Sequence, residues 1–194
     1  MFNLVLSELE SLKILDCPSG ASSFVAEAFN DYDIKKVVGC DILYEDNVKA
    51  LEKRGMEDIR YTMERMSHAY NLYNWDFYKS IDGLCHYRSL ALKKFLLDYN
   101  KGYQKRYLKT KLPKLPFDDK SFDIILSANL LFYYDYRLDY SFHRESIFEF
   151  LRVGSEIRIF PIQRADATLS VFFERFIQEV KESESKISFR IEKV

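Results

Sequence analysis

Residues that break or cross-link the backbone are scarce in this chain. Among its 194 residues there are six glycines, four prolines and three cysteines. So few glycines and prolines leave little room for linkers, and the length suffices for one packed core, so we predict a single domain over residues 1–194. Cys17, Cys40 and Cys85 are odd in number and lack the spacing of metal ligands, which predicts reduced thiols, no metal site and a cytoplasmic location.

Long apolar runs and an excess of either charge are also lacking. No stretch reaches the roughly 18 consecutive apolar residues of a membrane span, and Glu8 and Glu10 stand where a signal peptide would be basic. The 29 Lys and Arg residues nearly balance the 30 Asp and Glu residues, for a net charge of −1. We therefore expect neither a membrane nor a nucleic-acid partner, although a balanced total charge is compatible with a local basic patch.

Apolar residues recur with strand and helix periods in alternation along most of the chain. The predicted strands are residues 12–17, 36–41, 106–112, 122–127, 156–162 and 186–194. The predicted helices are residues 22–30, 45–54, 59–70, 81–99, 143–152 and 168–182, with a short helix or arm over residues 1–10. Gly55 is expected to end the helix over residues 45–54. This order of elements is typical of βαβ units and predicts an α/β fold with a mostly parallel sheet.

Residues 56–104 interrupt the alternation with helices alone, and they hold many of the aromatic residues, which make up 16% of the sequence. Aromatic side chains need burial, a ligand or a partner. We therefore predict an inserted helical subdomain that serves as extra core, as a dimer face or as a lid over a substrate pocket. In the lid interpretation Trp75 and Tyr78 bind the substrate as an aromatic wall; otherwise they belong to the core of the inserted helices.

Two acids and a glycine near the amino terminus form a pattern typical of nucleoside sites. Asp16 and Asp41 each end a predicted strand, and Gly20 lies in the turn that leads from the first strand into a helix. A glycine turn at a helix start presents free backbone N–H groups, and an acid about twenty residues further on accepts hydrogen bonds from a ribose. An ordinary strand-to-helix turn is the alternative for residues 16–22.

Four stretches resemble motifs of class I S-adenosylmethionine-dependent methyltransferases, and together they extend over nearly the whole chain. Residues 16–22 (DCPSGAS) stand where those enzymes have an Asp-x-Gly-x-Gly-x-Gly loop, and Asp41 stands at their ribose-binding acid. Residues 115–123 (LPFDDKSFD) closely match the run before their fourth strand. Residues 152–159 are similar to the following helix end and fifth strand. The DCPSG loop also resembles that of uncharacterised bacterial proteins of this superfamily.

The resemblance implies a Rossmann-like, doubly wound sheet with helices on both faces, and a methyltransferase that uses S-adenosylmethionine on an unidentified small-molecule acceptor. It implies cofactor binding by residues near the strand ends: Asp16, Pro18, Ser19, Gly20, Asp41, Ile42, Lys111, Leu112 and Ser127. Pro18 and Ser22 depart from the family loop by replacing two glycines, and Lys111 replaces an acid that contacts adenine. These enzymes usually close with an antiparallel hairpin, whereas this chain ends at Val194 after the first of its strands. That end predicts an incomplete hairpin, or a homodimer that pairs with the exposed strand.

Candidate catalytic and substrate residues lie in residues 129–143, which leave the carboxyl end of the fourth strand. His143 and Tyr140 are the candidate catalytic residues, and Tyr133 and Tyr134 are the candidate substrate contacts. The alternatives are a structural hydrogen bond or a helix cap for His143, and packing for the tyrosines. Methyl transfer chiefly needs alignment and exclusion of water, so the lack of a catalytic triad does not exclude activity.

Two other functions remain open at the level of sequence. One is a catalytically degenerate module that binds the cofactor or its product, or that serves for interaction or regulation. The other is a nicotinamide dinucleotide enzyme, which the two non-glycine residues in the loop disfavour because pyrophosphate must approach that backbone closely.

Overall fold

The computed structural model describes residues 2, 4–44, 47–72, 74–183 and 187–192. The strands are β1 (Ile14–Asp16), β2 (Val37–Asp41), β3 (Tyr107–Lys109), β4 (Phe122–Ala128) and β5 (Gly154–Phe160). The helices are α1 (Leu6–Leu9), α2 (Phe24–Asn30), α3 (Val48–His68), α4 (Ile81–Gly102), α5 (Tyr140–Val153) and α6 (Val171–Glu182), with a short 3-10 helix at Tyr70–Leu72. The fold is mixed α/β with a five-stranded, all-parallel sheet in the order β3-β2-β1-β4-β5. This order is consistent with a Rossmann-like sheet.

The chain divides into two compact units, and the first comprises Met1–Cys17 and Lys111–Val194. In this unit β4 pairs in parallel with β1 and with β5, in a register that sets Ile124 opposite both Ile14 and Glu156. The continuous apolar run of β4 is buried on both faces, as is typical of a parallel strand. Helix α5 packs against β5 and α6.

The second unit comprises Pro18–Thr110 and holds β2, β3 and helices α2 to α4. Its core is a cluster of four buried aromatic residues: Tyr44, Phe95, Tyr99 and Tyr107. Their ring centroids lie between 5.2 and 5.8 Å apart. Helix α4 packs against both α2 and α3. The carboxyl-terminal half of α4 is therefore core, which accounts for part of the heavy aromatic content.

The charged residues around the LPFDDKSFD stretch hold the turn before β4 against the end of α5. Arg152 on α5 donates to the carbonyl of Phe117 and to the carboxylate of Asp119, both at 2.8 Å. Lys120 Nζ in turn donates to the carbonyl of Gly154 at 2.7 Å. Lys120 Nζ also donates to the carbonyl of Leu151 at 2.7 Å, one of the carbonyls that the end of α5 leaves without an intrahelical partner. The contacts of this motif are therefore structural.

The prediction that Gly55 ends a helix is wrong, because α3 runs without a break from Val48 to His68. A Cβ atom at Gly55 would lie 2.5 Å from Cδ1 of Leu92 on α4. The glycine thus permits a close approach of α3 and α4. In the sequence, a glycine needed for packing and a glycine that stops a helix look alike.

The prediction of a last strand over residues 186–194 is wrong for residues 187–192, which have no regular secondary structure. Residues 186, 193 and 194 lie outside the described part of the chain. The alternation of Ile187, Phe189 and Ile191 fits a strand, but a strand also needs a neighbour for its backbone groups. Elsewhere the predicted strands and helices are present with shifted ends, and α5 begins three residues earlier, at Tyr140. None of the described helices has the length and apolar content needed to cross a membrane.

Candidate functional site

The turn after β1 is tied to the end of β2 by a backbone hydrogen bond. Gly20 has a φ of +58°, a left-handed conformation that glycine adopts at little cost. Its amide donates to Oδ2 of Asp41 at 2.8 Å, and its carbonyl accepts from the hydroxyl of Tyr44 at 2.9 Å. The glycine and the acid that the sequence predicted as a half-site therefore lie in direct contact.

Asp41 is held in one orientation by two backbone donors. Besides the Gly20 amide at Oδ2, the amide of Leu43 donates to Oδ1 at 2.8 Å. Asp41 is only 6% exposed, and this burial raises its pKa despite the nearby Arg54 and the backbone amides, that of Ile42 included. A carboxylate has about four acceptor sites in all, so the backbone donors do not use every one of them. A carboxylate fixed in this way can accept from a vicinal pair of hydroxyls.

Two buried hydroxyls beside this pair lack hydrogen-bond partners within the described part of the chain: those of Ser19 and Thr110. The backbone of each is firmly held, since Ser19 N donates to the Cys40 carbonyl at 2.9 Å and Thr110 N to the Asp41 carbonyl at 3.2 Å. A buried hydroxyl without a partner costs about 1–3 kcal/mol, which a ligand or a water molecule would recover.

Open space lies next to the Gly20 backbone. Apart from its chain neighbours, no described heavy atom lies within 4 Å of the position that a Cβ on Gly20 would take. A ligand can therefore approach this backbone closely. The half-site thus offers a fixed carboxylate, two hydroxyls without partners and an uncovered turn, which fit a nucleoside with a polar tail.

The first unit holds a second group of predicted site residues, at the carboxyl ends of β1 and β4. Asp16 ends β1 in register with Leu126, and the amide of Cys17 donates to the Leu126 carbonyl at 2.9 Å. Asp16 and Ser127 are buried, and the Ser127 hydroxyl has no hydrogen-bond partner among the described residues. The strand order reverses between β1 and β4, and open parallel sheets bind ligands at such reversals.

The remaining predicted cofactor residues have varied surroundings. Pro18 is half-buried in the turn, and Ile42, directly after Asp41, is exposed. Leu112 is buried, whereas Lys111 is exposed and forms an isolated β-bridge with Lys114. An exposed isoleucine beside a carboxylate offers an apolar surface to a flat ring.

His143 lies in the interior of the first unit, with 0% of its surface exposed. Its Nδ1 lies 2.7 Å from the carbonyl oxygen of Asp139, so Nδ1 carries the proton and donates. The rings of Phe132 and Phe172 flank the imidazole at 5.8 and 5.2 Å. Burial lowers the pKa of His143. Within the described ranges Nε2 has no hydrogen-bond partner. The imidazole is thus neutral at neutral pH, and its surroundings fit the structural interpretation.

Tyr140 joins α5 to α6. Its hydroxyl donates to Glu179 at 2.7 Å, and the guanidinium carbon of Arg175 lies 3.8 Å from its ring centroid. Burial, and then the bond to Glu179, raise the pKa of Tyr140 to about 12. The phenol therefore remains protonated at neutral pH, which does not suit a general base.

The four aromatic residues predicted to contact substrate lie in two groups, one in each unit. Tyr133 and Tyr134 are half-buried, with their ring centroids 4.9 Å apart. In the second unit, Trp75 stacks on Tyr70 at 4.7 Å and Tyr78 contacts Phe77 at 4.9 Å. These pairs sit at the connection between α3 and α4, whereas the rings next to Tyr44 belong to the carboxyl-terminal half of α4. Substrate binding by these four residues remains a prediction.

Sequence reasoning missed two residues of the half-site, Tyr44 and Thr110. Tyr44 is three residues after Asp41, so a polar aromatic residue just beyond the strand-ending acid was an available signal. Thr110 directly follows β3, but its position beside Asp41 depends on how β2 and β3 pair. In the ranges that the structure describes, no three His, Cys, Asp or Glu side chains are grouped so as to hold a metal ion.

Comparison with known proteins finds a relative of similar length. The chain is 36% identical, over 195 aligned residues, to the uncharacterised protein MJ0045 of Methanocaldococcus jannaschii. The alignment covers 100% of this chain and 86% of that protein. No protein-family model and no solved structure matches the chain. The chain belongs to the family of this archaeal protein, whereas the loop resemblance pointed to bacterial ones.

Proposed function

Starting from that family membership, we propose that the chain binds S-adenosylmethionine and transfers its methyl group to a small-molecule acceptor. One observation carries the proposal: the hydrogen bond that joins the Gly20 turn after β1 to Asp41 at the end of β2. In dinucleotide-binding sheets these two positions bind the ligand's polar tail and its ribose. The strand order β3-β2-β1-β4-β5 supports the proposal, since it matches the first five strands of a Rossmann-type sheet. We also propose that the helices cover both faces of that sheet.

Each group of the half-site has a role in binding. Asp41 accepts from the ribose hydroxyls with the acceptor sites that its backbone donors leave unused. The Ser19 and Thr110 hydroxyls, which lack partners among the described residues, donate to or accept from the ligand. The open space at Gly20 admits the amino-acid tail of the cofactor.

When bound, the cofactor supplies a methyl group whose carbon is already strongly electrophilic, because it is bonded to a positively charged sulfur. The protein then has to hold the acceptor in line and exclude water. A general base is needed only if the nucleophile must lose a proton. Since His143 is buried and Tyr140 keeps its proton, the proposal assigns neither as a base.

Calorimetric titration with S-adenosylmethionine, S-adenosylhomocysteine and NAD tests the binding site. We expect both sulfur compounds to bind more tightly than NAD, and Asp41→Ala to weaken their binding by about 1–3 kcal/mol. Glu57→Ala is the matched control, because it removes an exposed acid from α3 in the same unit. Circular dichroism of each variant verifies folding. Tighter binding of NAD than of either sulfur compound would contradict the proposal.

A cofactor binder without catalysis is the second candidate. It is favoured by one observation, that neither candidate catalytic residue is available as a base, since His143 is buried and Tyr140 keeps its proton. The two candidates differ in transfer of label from methyl-labelled S-adenosylmethionine to a panel of phenols, amines, thiols and carboxylates. Transfer by the wild-type chain that Asp41→Ala reduces at limiting cofactor concentration supports the enzyme. Binding without transfer to any member of the panel supports the binder.

A further inference from the structure

Positive charge is concentrated in one part of the chain, although the net charge is only −1. Residues 83–117 contain nine Lys and Arg and a single acid, Asp98. Asp98 is buried and accepts from Arg106 Nε and from the Tyr107 hydroxyl, both at 2.8 Å. Because Arg106 already neutralises this acid, Asp98 does not offset the lysines at the surface.

Four lysines of this segment form what we call the basic strip: Lys93, Lys101, Lys105 and Lys109. All four are exposed and lie in the second unit. None of them forms an ion pair with any residue that the structure describes, whereas the neighbouring Lys94 pairs with two acids of the α2 region at 3.0 Å. Among the described residues, the positive charge of the strip is therefore not offset by ion pairs.

The length of the strip indicates the kind of anion that it fits. Lys93 and Lys101 are eight residues apart on α4, which is about 12 Å along a helix. A single phosphate or carboxylate cannot bridge that distance, so an anion that uses both lysines of α4 must be extended.

Protection of a sheet edge does not account for the strip. Lysines on an edge strand discourage pairing with other chains, and β3 is the terminal strand in the order. Only Lys109 lies on β3, however, while Lys93 and Lys101 lie on α4. A helix has no exposed ladder of backbone groups to protect.

We propose that the basic strip binds the phosphate backbone of a nucleic acid. The near-zero net charge predicted no such partner, but salt screens exposed charges beyond about 10 Å, so the total charge of the chain does not decide what four unpaired lysines bind locally. The proposal goes beyond the proposed function and does not depend on a cofactor. It rests on exposure, on ion pairing and on the spacing of the lysines on α4.

Fluorescence anisotropy with a labelled, mixed-sequence single-stranded RNA about twenty nucleotides long tests the proposal. If all four lysines contact phosphates, the logarithm of affinity should fall with the logarithm of salt concentration with a slope of about −3. Affinity should then fall about fifty-fold between roughly 50 and 200 mM salt. Absence of binding at the lower salt concentration overturns the proposal.

Paired substitutions locate the contacts. The double variant Lys101→Gln, Lys105→Gln should halve the salt slope and weaken binding. Arginine at both positions should retain both the slope and the affinity of the wild type. The matched control, Lys49→Gln with Lys53→Gln, removes the same charge from exposed positions of α3 and should leave the slope unchanged. Equal weakening by the control pair contradicts the assignment to the strip. Strip-dependent binding to phosphatidylserine vesicles without binding to RNA would instead identify a membrane surface and overturn the proposal.

Discussion

Substituting Gly20 by alanine separates the strain of the turn from its part in binding. At the observed φ of +58°, an L-residue pays about 1–2 kcal/mol relative to its preferred conformations. Alanine recovers about 0.4–1 kcal/mol of this by restricting the unfolded chain. Since no described atom beyond the chain neighbours lies within 4 Å of the new methyl group, it meets no steric clash. The bonds to Asp41 and Tyr44 use backbone atoms and are retained. We therefore expect Gly20→Ala to lower the free energy of unfolding by about 1 kcal/mol.

The effect on binding should be larger, because the methyl group enters the space that we assign to the ligand. We expect the affinity for S-adenosylhomocysteine to fall at least about tenfold, or about 1.4 kcal/mol. Urea unfolding followed by circular dichroism and calorimetric titration measure the two effects separately. Ala21→Ser is the control, since Ala21 is the exposed neighbour in the same turn. If the Gly20→Ala variant loses about 1 kcal/mol of stability but keeps its affinity for S-adenosylhomocysteine, the ligand does not lie beside Gly20. A gain in stability would refute the left-handed turn.

Two further predictions concern stability. Burial lowers the pKa of His143, so below the unfolded pKa of about 6.5 the unfolded state binds a proton that the folded state does not. The free energy of unfolding should therefore fall as the pH decreases from about 7.5 to 5, and His143→Phe should flatten this dependence in urea titrations. Gly55→Ala should destabilise the fold by about 1 kcal/mol, because overpacking against Leu92 outweighs the helix propensity of alanine. In a Leu92→Ala background the same change should stabilise by about 1 kcal/mol, and a double-mutant cycle that shows no such reversal would contradict the contact.

The local pattern of apolar residues was sufficient to predict most of the strands and helices. Strands β1, β2 and β4 follow from short apolar runs, and α2, α4 and α6 follow from helical spacing, because both periods arise within a few residues of chain. The half-site was predictable for a similar reason. Asp41 ends one strand and Gly20 follows another, and in a parallel arrangement such ends lie at the same edge of a sheet.

Tertiary contacts decided what each of the ambiguous residues does. Gly55 looks like a helix stop, but its lack of a side chain lets Leu92 approach. His143 looks like a catalytic base, yet the rings of Phe132 and Phe172 flank it and its exposure is 0%. In both cases a deciding side chain lies tens of residues away, Leu92 for Gly55 and Phe172 for His143, where neither periodicity nor a motif has a signal.

The charge pattern shows the same division between sequence and structure. The sequence determines how many lysines the chain has and where they lie along it. Only the fold decides which of them are neutralised, because Lys94 reaches Glu27 and Asp31 through the packing of α4 on α2 while Lys101 and Lys105 reach no acid in the described structure. Ion pairing depends on separations of a few ångströms between side chains, and these are set by tertiary packing and not by position in the sequence.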